Sequence, residues 1–189
     1  MLQLTKYDEQ FSHLALSLIP GIGPKTFNNI KDIYQKKYQA NPLEQLWEDI
    51  INKNSKLLPQ IPQRLQNILN KLNFVEIEKE AQKALEWSEQ TNNHMIFEND
   101  AHYPKLLQEI SDPPPVLYVK GNLDILNYPQ IAIVGARNMS RYGQKNASAF
   151  AKALAQRNIV VTSGLARGID TMAHQSAVNT ISRTGNCIA

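Results

Sequence analysis

The chain has 189 residues, 42% hydrophobic content and a net charge of +3, enough for one sizeable domain or two small ones and too apolar to be disordered by default. No apolar run approaches the ~20 residues that span a bilayer, and residues 1–8 lack the basic flank and apolar stretch of a signal peptide. A single cysteine, Cys187, excludes an internal disulfide, and no Cys/His cluster has metal-ligand spacing, so the expected setting is the reducing cytoplasm.

The N-terminal half reads as helical by periodicity. Phe11, Leu14, Ala15 and Leu18 follow the i, i+3, i+4, i+7 spacing of one buried face. Ile19-Pro20-Gly21-Ile22-Gly23-Pro24-Lys25 then joins the first two helices. It looks like the turn of a helix-hairpin-helix or SAM-like domain. Its glycines permit a tight turn with positive φ, its backbone N–H groups can meet a DNA phosphate, and Lys25 adds charge at the next helix. A plain helix–helix turn fits these residues equally well. Leu43, Leu46, Trp47 and Ile50 repeat the helical spacing after Pro42, and Leu65, Ile68, Leu69 and Leu72 repeat it after Pro62. Residues 76–90 are rich in helix formers and predict a solvated last helix. Four or five short helices make a small all-α domain, residues 1–92.

The texture then changes, and the junction is expected between Asn92 and Ile96, opening a second domain over residues 93–189. His94-Met95-Ile96-Phe97 predicts a short strand and Asn99-Asp100 a turn. Pro113-Pro114-Pro115 forms a stiff extended spacer, and Val116-Leu117-Tyr118-Val119 a strand ending near Gly121. From Gln130 the pattern is β-α-β-α-β. Ile131-Ala132-Ile133-Val134 is apolar throughout, as a parallel strand covered on both faces would be. Residues 142–157 supply a helix with Phe150, Ala153 and Leu154 inward, and Ile159-Val160-Val161-Thr162 the next strand. Asp170 can cap a helix running to about Ser182, Gly185 suits its exit, and Asn186-Cys187-Ile188-Ala189 begins a third strand. A three-stranded parallel sheet with a bare edge is an aggregation hazard, so further βα units are expected beyond Ala189. The fold class is α/β: a helical domain followed by part of a Rossmann-like parallel-sheet domain.

Charge is distributed unevenly between these halves. From Ile131 onward stand seven basic residues (Arg137, Arg141, Lys145, Lys152, Arg157, Arg167 and Arg183) and one acid, Asp170, a net +6. The preceding 130 residues hold 13 basic and 16 acidic residues, a net −3. A basic module of this kind points to a polyanionic partner. Lys145, Lys152 and Arg157 read as a solvated helix face, whereas Arg137 and Arg167 sit beside glycines in loops.

Those two loops carry the chemistry. Gly135-Ala136-Arg137 directly follows one strand, and Thr162-Ser163-Gly164-Leu165-Ala166-Arg167-Gly168-Ile169-Asp170 ends the next. Ligands of open α/β sheets bind outside the carboxyl ends of the strands. A glycine there lets the backbone approach a phosphate, a following helix offers N–H groups, and an arginine fork matches phosphate oxygens. A plain βα turn with a surface arginine is the simpler reading of the first loop alone; two adjacent loops together describe a phosphate cleft. A dinucleotide is a poor fit, because Gly143 lies too far from Gly135 to complete G-x-G-x-x-G and Ser163 stands where a ribose-binding acid is needed. No Walker lysine loop is present. Asp170 and His174, four apart on one helix, can meet. A cap or buried polar contact is the favoured role of that pair over acid–base catalysis, since no nucleophile or metal set accompanies it.

At these residues the chain resembles the DprA/Smf family of DNA-processing proteins. The resemblance is carried by Tyr103-Pro104, by Asp112-Pro113-Pro114, and by Leu117-Tyr118-Val119-Lys120-Gly121. It continues through Ile131-Ala132-Ile133-Val134-Gly135-Ala136-Arg137, then the stretch from Ser163 to Asp170, and Ala173-His174. It implies a single-stranded DNA-binding protein of natural transformation that protects incoming DNA and helps load the RecA recombinase. It further implies a homodimer when full length, no known cofactor, no membrane and no catalysis. By position, Gly135, Arg137, Ser163, Gly164, Arg167 and Gly168 would line the phosphate pocket, with Gly21, Gly23 and Lys25 as a secondary contact. Ala136 departs from the serine common in that family. The alternative is an enzyme of the same Rossmann-like superfamily, a nucleoside-monophosphate hydrolase, which needs a further glycine-rich loop and a glutamate on a later strand.

Overall fold

The computed structural model describes residues 8–38, 40–52, 62–180 and 187–189. The chain is α/β and divides into two compact units, Met1–Gly121 and Asn122–Ala189.

In the first unit, local rules account for the helix starts. Asp8 caps α1 (Glu9–Ser17), accepting from the Phe11 N–H at 2.7 Å. Pro24 and Pro42 hold the first positions of α2 (Pro24–Lys37) and α3 (Pro42–Ile51), where proline's missing N–H removes no helical bond. Asn41 gives α3 no side-chain cap; instead the Glu9 carboxylate of α1 accepts from the N–H groups of Leu43 and Glu44 at 3.3 and 3.1 Å. Two more helices follow, α4 (Gln63–Lys71) and α5 (Phe74–Ser88). Their apolar stripes converge on a core that includes Leu14, Phe27, Leu46, Trp47 and Leu69, with Trp47 fully enclosed. The last helix buries only Ile77 and Ala81, matching its solvated pattern.

A hairpin completes this unit. Strand β1 (Asn93–Phe97) pairs antiparallel with β2 (Val116–Lys120), Asn93 opposite Lys120 and Phe97 opposite Val116. The expected turn forms at Asp100, whose N–H donates to the Phe97 carbonyl and whose carboxylate accepts from the Phe97 N–H at 2.7 Å. A short helix, α6 (Lys105–Gln108), lies in the excursion between the strands. Buried Tyr103 ties the proline run down by donating its hydroxyl to the Pro114 carbonyl at 2.7 Å. The two compact units therefore meet at Gly121/Asn122, and the hairpin lies in the first of them. Phe97 is part of the helical core, and Met95 and Val116 pack against it; one apolar face of the hairpin thus finds its cover on the helices.

The second unit holds a parallel sheet of order β3-β4-β5, with β3 (Gln130–Ala132), β4 (Val160–Thr162) and β5 (Cys187–Ile188). Helices α7 (Arg141–Ala155) and α8 (Ile169–Val178) connect them. Two sequence expectations are corrected here. The first strand is not covered on both faces: Gln130, Ile131 and Ala132 are exposed, and only central β4, with Val160 and Val161 fully enclosed, meets that description. In α7 the buried side is Ala147, Ala151 and Ala155, with Leu154 packed against it as expected, while Phe150 is 65% exposed. The cause is close approach: Ala151 and Ala155 of α7 meet Ala173 and Ala177 of α8 over Val161, a seam with no room for a benzyl group. Helix α8 ends at Val178, with Asn179 as its cap, short of Ser182. The expectations resting on Arg183, Gly185, Asn186 and residues 1–7 lie outside the described residues. Among the described residues no helix is long and apolar enough to cross a membrane.

Candidate nucleic-acid interface

Parallel pairing brings the ends of β3 and β4 to one edge of the sheet. The register sets Ala132 beside Thr162, and the Ile133 N–H donates to the Thr162 carbonyl at 2.9 Å. The two chemical loops therefore start side by side. Ser163 clamps them: its hydroxyl donates to the Ile133 carbonyl at 2.7 Å, and its N–H donates to the Ile188 carbonyl of β5 at 3.0 Å. Ser163 is buried, so its hydroxyl serves the scaffold and does not face solvent.

The glycines act at the next level. Gly168 has φ +88° and ψ −126°, a combination open only to a residue without Cβ. A Cβ there would lie 2.5 Å from the Arg137 carbonyl oxygen and would also strike that of Ala136. The contact is productive, since the Ile169 N–H donates to the Ala136 carbonyl at 3.3 Å. Gly135 makes the reciprocal allowance: a Cβ on it would lie 2.6 Å from the Ile169 side chain. Gly135 and Gly168 thus let one loop's backbone lie directly on the other. Gly164 is exposed, and a Cβ on it would stand 3.3 Å from the Asp170 carboxylate.

Asp170 and His174 complete the support. Gly168, and not Asp170, is the cap residue of α8. Asp170 sits in the first helical turn, where a carboxylate complements the helix dipole, and accepts from the Ala166 N–H at 3.4 Å. The Thr171 hydroxyl donates to the Ala166 carbonyl at 2.7 Å. His174 is buried and its Nε2 lies 3.2 Å from the Ser163 carbonyl. No hydrogen bond joins Asp170 to His174; each side chain holds its own part of the second loop.

What this scaffold presents is cationic. Arg137, Asn138, Ala166 and Arg167 line an open cleft of about 570 Å³. Both arginines are exposed, and among the described residues neither guanidinium has a hydrogen-bond or ion-pair partner. A guanidinium fork left free at the rim of a cleft is suited to phosphate or carboxylate oxygens. Asn138 was not singled out by sequence reasoning, although a polar side chain directly after Arg137 in a strand-end loop was a usable signal. Among the described residues no group of three or more His, Cys, Asp or Glu side chains is placed to hold a metal ion.

The helical hairpin belongs to the first unit. Gly21 takes φ +88°, and a Cβ on it would lie 2.8 Å from Ile68. Gly23 precedes α2 as its cap residue, and Gly21, Gly23 and Lys25 are all exposed.

Comparison with known proteins places this geometry. Residues 94–189 match the family model described as DNA recombination-mediator protein A. Protein Smf of Escherichia coli (strain K12) is 42% identical over 100 residues, covering 53% of this chain and 27% of that one. Protein Smf of Synechocystis sp. is 31% identical over 183 residues, covering 93% of this chain and 43% of that one. Among solved structures, DNA processing protein A (DprA) of Streptococcus pneumoniae superposes with a TM-score of 0.51 at 26% identity, covering 92% of this chain and 54% of that chain. The chain spans less than half the length of the two Smf relatives.

Proposed function

Because the chain belongs to the DNA recombination-mediator protein A family, we propose that it binds single-stranded DNA at the ends of β3 and β4. Arg137 and Arg167 supply the charge, and Gly135, Ser163, Gly164 and Gly168 hold the two loops in place. The observation that carries this reading is the pair of unpartnered guanidinium groups in one open cleft. Phosphate oxygens are the polyanionic ligand that such a site matches, and a net +6 from Ile131 onward favours a long anion over a single small one.

The chain acts by binding, without making or breaking a bond and without a cofactor. In the cell it holds single strands in the cytoplasm during natural transformation and, as a homodimer, delivers them to the RecA recombinase. Exposed Gly21, Gly23 and Lys25 add a secondary DNA contact from the helical unit.

Binding of a fluorescent oligothymidylate tests the site. Arg137→Ala and Arg167→Ala are each expected to weaken binding by roughly tenfold, the size of one lost charge-assisted phosphate contact. Lys152→Ala, on the solvated face of α7, should change it little. Equal affinities for all four proteins would remove the cleft assignment.

A further inference from the structure

The second loop contains a leucine in an unusual state. Leu165 has φ +54° and is 69% exposed. The left-handed region places Cβ against the carbonyl and is unfavourable for a bulky L-residue. Such a conformation persists only where the surroundings impose it, and here they do. Ser163 is fastened to Ile133 before it, and Ala166 is fastened on both its N–H and its carbonyl by Asp170 and Thr171 after it. Burial does not account for the residue type, because the side chain stands in water. The strained backbone thus holds an isobutyl group out beside Ala166 and Arg167, two of the four residues lining the cationic cleft. Val134, just after the neighbouring strand, is 77% exposed. An exposed apolar side chain, that of Leu165, thus stands directly before two residues of the cationic cleft.

A single nucleic-acid strand has this same division, with charged phosphates on one side and apolar base faces on the other. In a duplex the base faces are hidden by stacking. We infer that Leu165 is the base contact of the site: it packs on unstacked nucleobases while the arginines hold the backbone. This rests on the cleft binding a nucleic-acid strand as proposed above, and it assigns the preference for single strands to an aliphatic side chain.

The test compares two oligomers of equal length and phosphate count, one of thymidines and one in which abasic residues replace them. The native chain is expected to bind the thymidine strand roughly tenfold more tightly. Leu165→Asn keeps a residue that tolerates positive φ and removes the apolar group; the ratio of the two affinities should then fall to within about twofold of one. Leu165→Gly, which also accepts this backbone, should give the same ratio. Melting curves of both variants report whether the unit is still folded. Arg137→Ala should weaken both oligomers by a common factor and leave the ratio unchanged.

A native chain that binds both oligomers equally overturns the base contact while leaving the phosphate site standing. So does a variant that keeps the tenfold ratio. A change in oligomeric state with an unchanged ratio would make Leu165 a protein–protein contact and likewise overturn the inference. Failure of the native chain to bind either oligomer would defeat the phosphate reading, and this inference with it.

Discussion

Replacing Gly168 by alanine is expected to destabilise the second unit by about 3–5 kcal/mol and to abolish oligonucleotide binding. Two effects combine. The backbone at φ +88°, ψ −126° lies outside the regions open to alanine, and the new methyl group meets the carbonyl oxygens of Ala136 and Arg137. Neither oxygen can withdraw alone, because both belong to the backbone of the loop that carries Arg137. Relief therefore requires the two loops to part, breaking the Ile169 N–H bond to Ala136 and dispersing the arginines. Gly143→Ala is the matched control. Gly143 lies within α7, a Cβ there stands 3.3 Å from the terminal methyl of Ile169, and alanine raises helix propensity by up to about 1 kcal/mol. Thermal melting of the two variants, with oligonucleotide titration, reads both effects. A Gly168→Ala protein that melts and binds like the native one would show that the loops are not interlocked.

Acidification is expected to weaken the first unit through one side chain. His13 of α1 is 6% exposed. It stacks at 4.7 Å on Phe27 and lies 4.8 Å from Phe97. Among the described residues its Nε2 has no hydrogen-bond partner, and the Pro115 carbonyl accepts a hydrogen bond from the ring. Burial, and then the charge of Lys31, hold its pKa down to about 4, partly offset by the Pro115 bond. Lys31 is itself paired with Glu98 at 2.6 Å. In the unfolded chain the imidazole titrates near its ordinary 6.5. Between pH 6.5 and 4 the unfolded state binds a proton that the folded state does not, so stability rises with pH across that window. The contribution is fully present above pH 6.5, and about 3 kcal/mol is lost on falling to pH 4. Urea midpoints of the native chain at pH 7 and 4.5 should differ more than those of His13→Phe. Equal shifts in the two proteins would place the acid sensitivity elsewhere.

Much of this architecture was legible in the sequence, and the exceptions share a cause. Pro42 and the spacing of Leu43, Leu46 and Trp47 specified α3 because both signals are local. The strand-end loops were legible for the same reason. What escaped depends on residues distant in sequence. The hairpin of β1 and β2 belongs to the helical unit because Phe97 finds its cover on helices far earlier in the chain. In α7 Phe150 was read as inward, and the alanines of α8, distant in sequence, are what draw Ala151 and Ala155 inward instead. Gly135 and Gly168 were read as room for a ligand's phosphate; in the fold that room is filled by Ile169 and by the Ala136–Arg137 backbone. Ser163 was read as lining the phosphate pocket, and its hydroxyl donates to the Ile133 carbonyl just past β3. The two arginines were read as phosphate-binding forks beside glycines, and among the described residues the fold leaves both without a partner at one cleft.

The salt dependence of oligothymidylate binding tests the central claim most directly. Each phosphate contact on a single strand contributes about −0.7 to the slope of log Kobs against log salt concentration. The double variant Arg137→Ala/Arg167→Ala should therefore show a slope shallower than the native chain's by about 1.4. Identical slopes, with or without a change in affinity, would mean that these arginines do not face phosphates and would contradict the assignment of the cleft.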